Sequence, residues 1–139
     1  MRVEQMIVAA LRADATVGPL VLNATSPATW RIFHNERPQD SVLPALSYQR
    51  VNQDRELALD GPAELAQVFV VVDVYAASSS AAKQLADAVR SALDGVTGNL
   101  GGGSVQHVWL TDETDISEVE GDLKVRRISL DFNALVRDE

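Results

Sequence analysis

Carboxylates form the densest group of chemically capable side chains in this sequence. Six of them lie within the eleven residues from Asp112 to Asp122. A calcium loop of the EF-hand type needs oxygen ligands at alternate positions, a central glycine and a terminal glutamate, and the spacing here does not match that pattern. We therefore predict a solvated acidic loop between two strands. The alternative is an electrostatic contact surface that basic side chains or divalent cations bridge to a neighbouring molecule.

The other reactive residue types form no recognisable catalytic or metal-binding motif. The chain has no cysteine, and its two histidines, His34 and His107, fall in different predicted strands without a neighbouring ligand pattern. The glycines between Gly98 and Gly103 lack the Gly-Lys-Ser/Thr ending of a phosphate-binding loop, so we interpret this segment as a connector. Asp73 is the one carboxylate to test for an altered pKa, and solvent or a cross-strand arginine is its expected partner. We predict no enzyme, no catalytic residue, no cofactor and no metal site.

Length and charge limit the classes of protein that remain. A chain of 139 residues fits a single domain, residues 1–139, with a substantial core. No apolar run is long enough to cross a membrane, so no membrane partner is expected. The formal net charge of −8 argues against binding to the phosphate backbone of nucleic acid as the main function.

The strongest structural signal is a strand that leads into a helix. Residues Gln67 to Tyr75 are rich in β-branched and aromatic types, which favour a strand. Apolar residues then recur at three- and four-residue steps, which predicts a helix from about Ser79 to Leu93 with one buried face. Ser78 or Ser79 is expected to cap its start, and Gly95 to end it.

The N-terminal third is predicted to begin with an amphipathic helix from Val3 to Ala13. Asp14 or Thr16 then caps a short turn that ends at Gly18-Pro19, because proline cannot continue a helix. The small polar residues from Asn23 to Thr29 predict a loop, and Trp30 to His34 alternates like a short strand.

Strands and turns fill the rest of the predicted order. A strand around Leu46 to Val51 continues into a polar stretch and a turn at Leu59-Asp-Gly-Pro62, which predicts a long hairpin with the central strand. Val105 to Leu110 is predicted to form a strand. Leu123 to Val136 predicts a long final strand, in which a β-bulge near Arg126-Arg127 would correct a change of phase. Both arginines are also within reach of the acidic run.

In this order the features resemble the tail-completion proteins of long-tailed phages, also called tail terminators or tail-to-head joining proteins. The matching segments are the helix ending in Leu11-Arg-Ala-Asp14, Leu43-Pro-Ala-Leu-Ser-Tyr48 with Arg50-Val51, Leu59-Asp-Gly-Pro62, Val72-Asp-Val-Tyr-Ala76, Leu85-Ala-Asp-Ala-Val-Arg90, Ala92-Leu-Asp-Gly95, the acidic stretch and Arg127-Ile-Ser-Leu-Asp-Phe132. They span almost the whole chain. The segment from Asn23 to Thr29 departs from the family by being longer.

The resemblance implies an α+β fold, a mostly antiparallel sheet with an N-terminal helix and one main helix packed on one face. It also implies a virion protein of the tail or neck, present in the host cytoplasm during assembly. Copies would form a homo-oligomeric ring, expected to be a hexamer, that caps the tail tube, ends its polymerisation and meets the head–tail connector or stopper protein. Its action would be steric, with DNA only as passing cargo.

A closed ring needs two different, complementary surfaces on each subunit. Our candidates are the polar hairpin arm from Arg50 to Pro62 and the acidic segment from Asp112 to Asp122. The predicted interface residues are Arg50, Arg55, Glu56, Asp60, Asp112, Glu113, Asp115, Glu118, Glu120 and Asp122. Acidic residues that face the channel would also repel DNA.

Two alternatives remain at the level of the sequence. The first is the equivalent adaptor of a phage-derived particle, such as a gene-transfer agent or a contractile injection system. The second is a small ligand-binding α+β domain or acidic enzyme, with a pocket under the main helix and a strongly shifted Asp73.

Overall fold

A computed structural model describes residues 3–23, 29–35, 43–58, 61–95, 98–100, 103–120 and 123–137. The elements are α1 (Val3–Ala13), α2 (Val17–Val21), β1 (Leu22–Asn23), β2 (Thr29–Trp30), β3 (Ile32–His34), β4 (Ala45–Ala58), β5 (Gly61–Ala76), α3 (Ser79–Leu93), β6 (Gly98–Leu100), β7 (Gly103–Glu120) and β8 (Leu123–Arg137). None of the described helices is long and apolar enough to cross a membrane.

The main sheet has six strands in the order β3-β4-β5-β8-β7-β6. All neighbours in it are antiparallel except β3 and β4. β1 and β2 form a separate two-stranded ladder. The α+β fold expected from the resemblance is therefore confirmed, and so is the long hairpin between β4 and β5.

One face of the sheet carries the core. Alternate residues of β5 and β8 point to the same side because successive strand residues face opposite ways. The buried members on these two strands are Val68, Val70, Val72, Val74, Ile128, Leu130, Phe132 and Ala134. α3 covers them with Ala82, Leu85, Ala86, Val89 and Leu93, and α1 adds Met6, Ile7 and Leu11. Each large side chain buried this way stabilises the fold by roughly 1.5–3 kcal/mol.

Local signals determine α3, whose bounds match the sequence prediction. Ser78 has an extended backbone, and its hydroxyl accepts a hydrogen bond from the Ala81 N–H at 3.1 Å. Gly95 follows the helix with a φ of +82°, a left-handed conformation that glycine adopts without a Cβ clash. Its N–H donates to the Val108 carbonyl at 2.6 Å, which ties the end of the helix to β7.

The prediction that proline ends the turn after α1 is wrong. The Asp14 carboxylate accepts from the N–H groups of Thr16 and Val17, and α2 then runs through Pro19. Pro19 is the third residue of α2, within the first turn, where backbone N–H groups have no intrahelical partner. The proline therefore removes no helical hydrogen bond.

The single strand predicted over Trp30 to His34 is divided at Arg31. Its guanidinium donates to the carbonyls of Pro44 and Leu20, both at 2.7 Å, and thereby ties β2 and β3 to two other segments. The predicted loop from Asn23 to Thr29 needs a similar correction. Asn23 and Thr29 pair with each other as strand residues, and residues 24–28 lie outside the described part of the chain.

The predicted acidic loop is instead part of a strand. β7 continues through the acidic residues as far as Glu120, and its register with β8 is unbroken from Asp112 to Glu120. The backbone of β8 supplies hydrogen-bond partners to these acidic residues, and such pairing outweighs the low strand propensity of Asp and Glu. Gly98–Leu100, interpreted above as connector, likewise pairs with β7 as the edge strand β6.

The predicted bulge in the last strand is also misplaced. The register of β8 with β5 is unbroken from Arg126 to Arg137, so no residue is inserted near Arg126-Arg127. The register shifts lie in β7 instead, at Gln106 and Thr111. Val125 therefore lies on the face opposite Ile128, and both are buried.

Candidate assembly surfaces

Two hairpin arms extend from opposite ends of the sheet. Ala45, Tyr75, Arg127 and Ile116 lie at one level across β4, β5, β8 and β7. The β4–β5 arm runs from this level towards residues 59–60, whereas the acidic end of the β7–β8 arm runs the other way towards residues 121–122. The two arms also belong to opposite sides of the sheet. Each subunit therefore presents two separate surfaces.

The acidic arm is exposed where its side chains are described. Asp112, Glu113 and Asp115 are all exposed on β7. Asp112 is registered opposite Asp131, whereas Glu113 and Asp115 are registered opposite Leu130 and Ile128, so the carboxylates lie on both faces of the strand. Glu118 and Glu120 continue β7, and Asp122 is outside the described residues.

Glu113 and Asp115 border a cleft of about 240 Å³ beside α3, together with Lys83, Ala86, Asp87 and Ile128. Acidic and basic groups share its walls. Among the side chains that the structure describes, no three histidine or carboxylate groups come close enough to hold a metal ion. The bridging by divalent cations considered above therefore has no preformed site within the described part of one subunit.

The polar arm carries the other predicted interface residues. Arg50 is half-buried on β4, and Arg55 and Glu56 lie further along the same strand. Asp60 lies outside the described residues. β5 and β8 lie between β4 and β7 in the sheet, so the described residues of the two sets belong to strands that are not neighbours within one subunit.

The sheet face away from the helices holds an ion pair. Arg127 Nη2 donates to Asp73 Oδ2 at 2.9 Å, and the two side chains are 29% and 11% exposed. The guanidinium also lies over the Tyr75 ring, 5.7 Å from its centroid, and the Tyr75 hydroxyl is 3.3 Å from Ser47 Oγ. The cross-strand arginine expected for Asp73 is therefore confirmed. This network joins β4, β5 and β8.

Sequence reasoning missed a groove on the same face. Val51, Phe69, Val71, Thr111 and Asp131 are among the residues that line about 330 Å³ of space. Val51 is 58% exposed, a large value for an aliphatic strand residue. The β-bulge at Val51 places it there, and no pattern in the sequence marks that bulge.

The groove contains a perturbed carboxylate. Partial burial raises the pKa of Asp131 above its ordinary value, and the nearby carboxylates of Asp112 and Asp73 raise this pKa further. The alternation of Ser129, Asp131 and Asn133 with the apolar residues of β8 was the available signal that a carboxylate lies on this face.

Comparisons with known proteins give one family match and similar solved structures. No curated protein matches the chain. One solved chain, from the virion of a native gene transfer agent particle, has a similar structure with a TM-score of 0.62. The two are 24% identical over 94% of this chain and 91% of the other, and at that identity the likeness establishes the fold alone. The family model described as tail completion protein gp17 matches residues 5–137. This chain therefore belongs to the gp17 family of tail completion proteins, structural components of a phage-type virion tail.

Proposed function

We propose that copies of this chain form a ring, expected to be sixfold, that caps the tail tube. The ring ends tube polymerisation and presents its other side to the head–tail connector. The observation that carries this proposal is the family match over residues 5–137. The fold supports it, because the two arms of each subunit are different surfaces on opposite sides of one sheet. Heterologous contacts between such surfaces generate a closed ring when the rotation from one subunit to the next closes on itself.

The mechanism in this proposal is steric. The polar arm supplies Arg50, Arg55, Glu56 and Asp60 to one contact, and the acidic arm supplies Asp112, Glu113, Asp115, Glu118, Glu120 and Asp122 to the other. Tube growth stops because the ring covers the surface on which the next tube layer would assemble. The protein acts without catalysis or a cofactor.

DNA passes such a ring without being bound by it. The chain has a formal net charge of −8, and a channel wall of the same sign as the phosphate backbone raises the free energy of close contact. Weak repulsion of this kind keeps DNA from adhering during packaging or ejection.

A second candidate is the equivalent joint in a phage-derived particle. The structurally similar chain belongs to the virion of a gene transfer agent, so this fold occurs in such a particle. The role at the end of the tube is the same in both cases. Genes next to this one would distinguish them, because an infectious phage also encodes its own replication functions.

Purified protein mixed with isolated tail tubes tests the proposal. Electron microscopy and native mass spectrometry should show six-copy rings bound at tube ends, and added tube protein should no longer lengthen those tubes. The variant Arg90→Ala, on the exposed side of α3, is the matched control and should cap tubes as the wild type does. Tube ends that remain bare and continue to grow would overturn the proposal.

A further inference from the structure

The two outermost long strands of the sheet each leave one stretch of backbone edge without a strand partner among the described residues. β3 covers only Leu46 to Tyr48 of β4, so residues 49–58 form what we term the β4 open edge. β6 covers Gly103 to Val105 of β7. The end of α3 covers the next part, through hydrogen bonds from Gly95 N to Val108 O and from Leu110 N to Asp94 Oδ1. Residues 111–120 form the β7 open edge.

The two open edges match in length and fit as a pair. Each spans ten residues, and they lie on opposite sides of one sheet, so a second copy can continue the sheet on either side. β4 and β7 run in opposite directions within the sheet. An edge-to-edge contact between β4 of one copy and β7 of the next, with both sheets facing the same way, is therefore antiparallel.

The short outer strands determine how far the copies must be offset. The β4 open edge lies entirely on one side of the level of Ala45 and Ile116, and the β7 open edge is centred on that level. Aligning the two edges shifts one copy by roughly nine residues, about 30 Å along the strands. At that offset β3 of one copy lies just past the Glu120 end of β7 of the next, and β6 lies beyond the end of β4. Closure of a sheet into a barrel requires such a stagger.

Charge disfavours the symmetric pairing of two β7 open edges. Residues 111–120 carry five carboxylates and no basic side chain, whereas residues 49–58 carry two arginines, one aspartate and one glutamate. Two β7 open edges placed side by side would bring like charges opposite each other, which destabilises a strand pair. A β7 edge against a β4 edge reduces that repulsion, because the two arginines of the β4 edge balance its own two carboxylates.

The backbone of the β7 open edge is available for such bonds. Val108 O and Leu110 N point away from β8, and the bulge at Thr111 moves the outward positions to Glu113 and Asp115. The Glu113 N–H is held by its exposed neighbour, Asp112 Oδ1, at 2.9 Å. A strand from another copy can replace this local bond with a carbonyl acceptor.

We infer that neighbouring copies join by antiparallel pairing of the β4 open edge of one copy with the β7 open edge of the next, which makes one sheet continuous around the ring. This inference rests on the proposed ring and specifies the contact between its neighbouring subunits. Unpaired strand edges are the sites at which sheets associate. In a closed ring neither the β4 open edge nor the β7 open edge stays exposed.

Disulfide trapping tests the register directly, because the chain has no cysteine of its own. Asp54→Cys is combined in turn with Thr114→Cys, Ile116→Cys and Glu118→Cys. Non-hydrogen-bonded antiparallel neighbours have Cα atoms about 4.5 Å apart, within the range of a disulfide, and a slip of two residues leaves that range. Oxidation of rings on tube ends should give covalent multimers for one or two of these variants. Asp54→Cys with His107→Cys is the control, because His107 lies on the part of β7 near the covered edge, and no multimers are expected.

A pair of proline substitutions tests the edge pairing independently. Asp115→Pro removes an outward-facing N–H, which an edge strand tolerates, so the subunit should keep its circular dichroism spectrum and lose ring formation. Thr114→Pro removes an N–H that faces β8 and should disrupt the subunit itself. Rings that cap tubes normally in Asp115→Pro, with no disulfide in the three test pairs, would overturn the edge pairing and leave the proposed function intact. Wild-type protein that forms no ring, alone or on tubes, would overturn both.

Discussion

Arg127 reaches across the helix-free face of the sheet to Asp73, with Nη2 2.9 Å from Oδ2, and joins β8 to β5 through a largely buried ion pair. The charged partner that the structure records for Asp73 comes from β8, the strand that pairs beside β5. The register of β8 determines which arginine pairs with Asp73.

Breaking this pair should destabilise the subunit. In Arg127→Met the carboxylate of Asp73 stays buried without its charged donor, and we expect a loss of about 1–3 kcal/mol in the free energy of unfolding. Urea denaturation followed by circular dichroism measures this. Arg90→Ala breaks the exposed pair with Asp87 and should cost less than about 0.5 kcal/mol. Equal losses in the two variants would show that burial of the Asp73 pair has no effect.

Asp131 should make stability depend on pH. Burial and neighbouring carboxylates raise its pKa above the ordinary value of 3.8 in the folded state, so the folded state holds this proton more tightly than the unfolded state does. The destabilising contribution of Asp131 to the free energy of unfolding therefore grows as pH rises from 3.8 through its pKa in the folded state. It has its full size at neutral pH. Asp131→Asn should raise stability at pH 7, by less than about 1 kcal/mol, and this gain should vanish in acid.

The pH series also tests the role of Asp112. Asp112→Asn removes one of the charges that raise the Asp131 pKa, and the asparagine oxygen can still accept from Glu113 N–H. The stabilising effect of Asp131→Asn should therefore be smaller in the Asp112→Asn background. A gain of unchanged size in the double variant would count against coupling between the two carboxylates.

The start of α3 should depend on one hydroxyl. Ser78→Ala removes the acceptor for the Ala81 N–H, and we expect a loss of about 1 kcal/mol in the free energy of unfolding. Ser80→Ala, two residues later on the exposed side of the first turn, provides a control with the same chemical change. Its effect should be close to zero. The comparison fails if both substitutions destabilise the protein equally.

Charge reversal on the acidic arm should impair assembly. The double variant Glu118→Lys with Glu120→Lys places positive charge on the surface that we propose meets the arginines of the next copy. Fewer tube ends should carry rings, and fewer particles should deliver DNA. Gln84→Lys with Ser91→Lys adds lysines to the exposed face of α3 and should leave both readouts unchanged. Normal infectious particles from the arm variant would contradict the proposed interface.

Local sequence was sufficient for α1, α3 and the β4–β5 hairpin. Apolar periodicity, the Ser78 cap and Gly95 act within a few residues, so α3 was predicted with its observed bounds. The segments that resemble the family, which are spread along most of the chain, could also be recognised from the sequence alone. The interface residues proposed from the resemblance lie on two arms, but their contacts belong to an assembly and stay predictions.

Long-range pairing decided the rest. The acidic segment is a strand because β8 offers it a continuous backbone partner, although its own side chains favour a loop. The bulges at Val51 and Thr111 set which residues face the groove. The predicted strand from Trp30 to His34 is divided at Arg31, because the backbone there changes its partner from Val21 O to Leu46 N. A sequence determines periodicity and capping by itself, since these involve neighbours along the chain. Register, bulge position and open edges depend on which strands meet, and only the tertiary structure decides that.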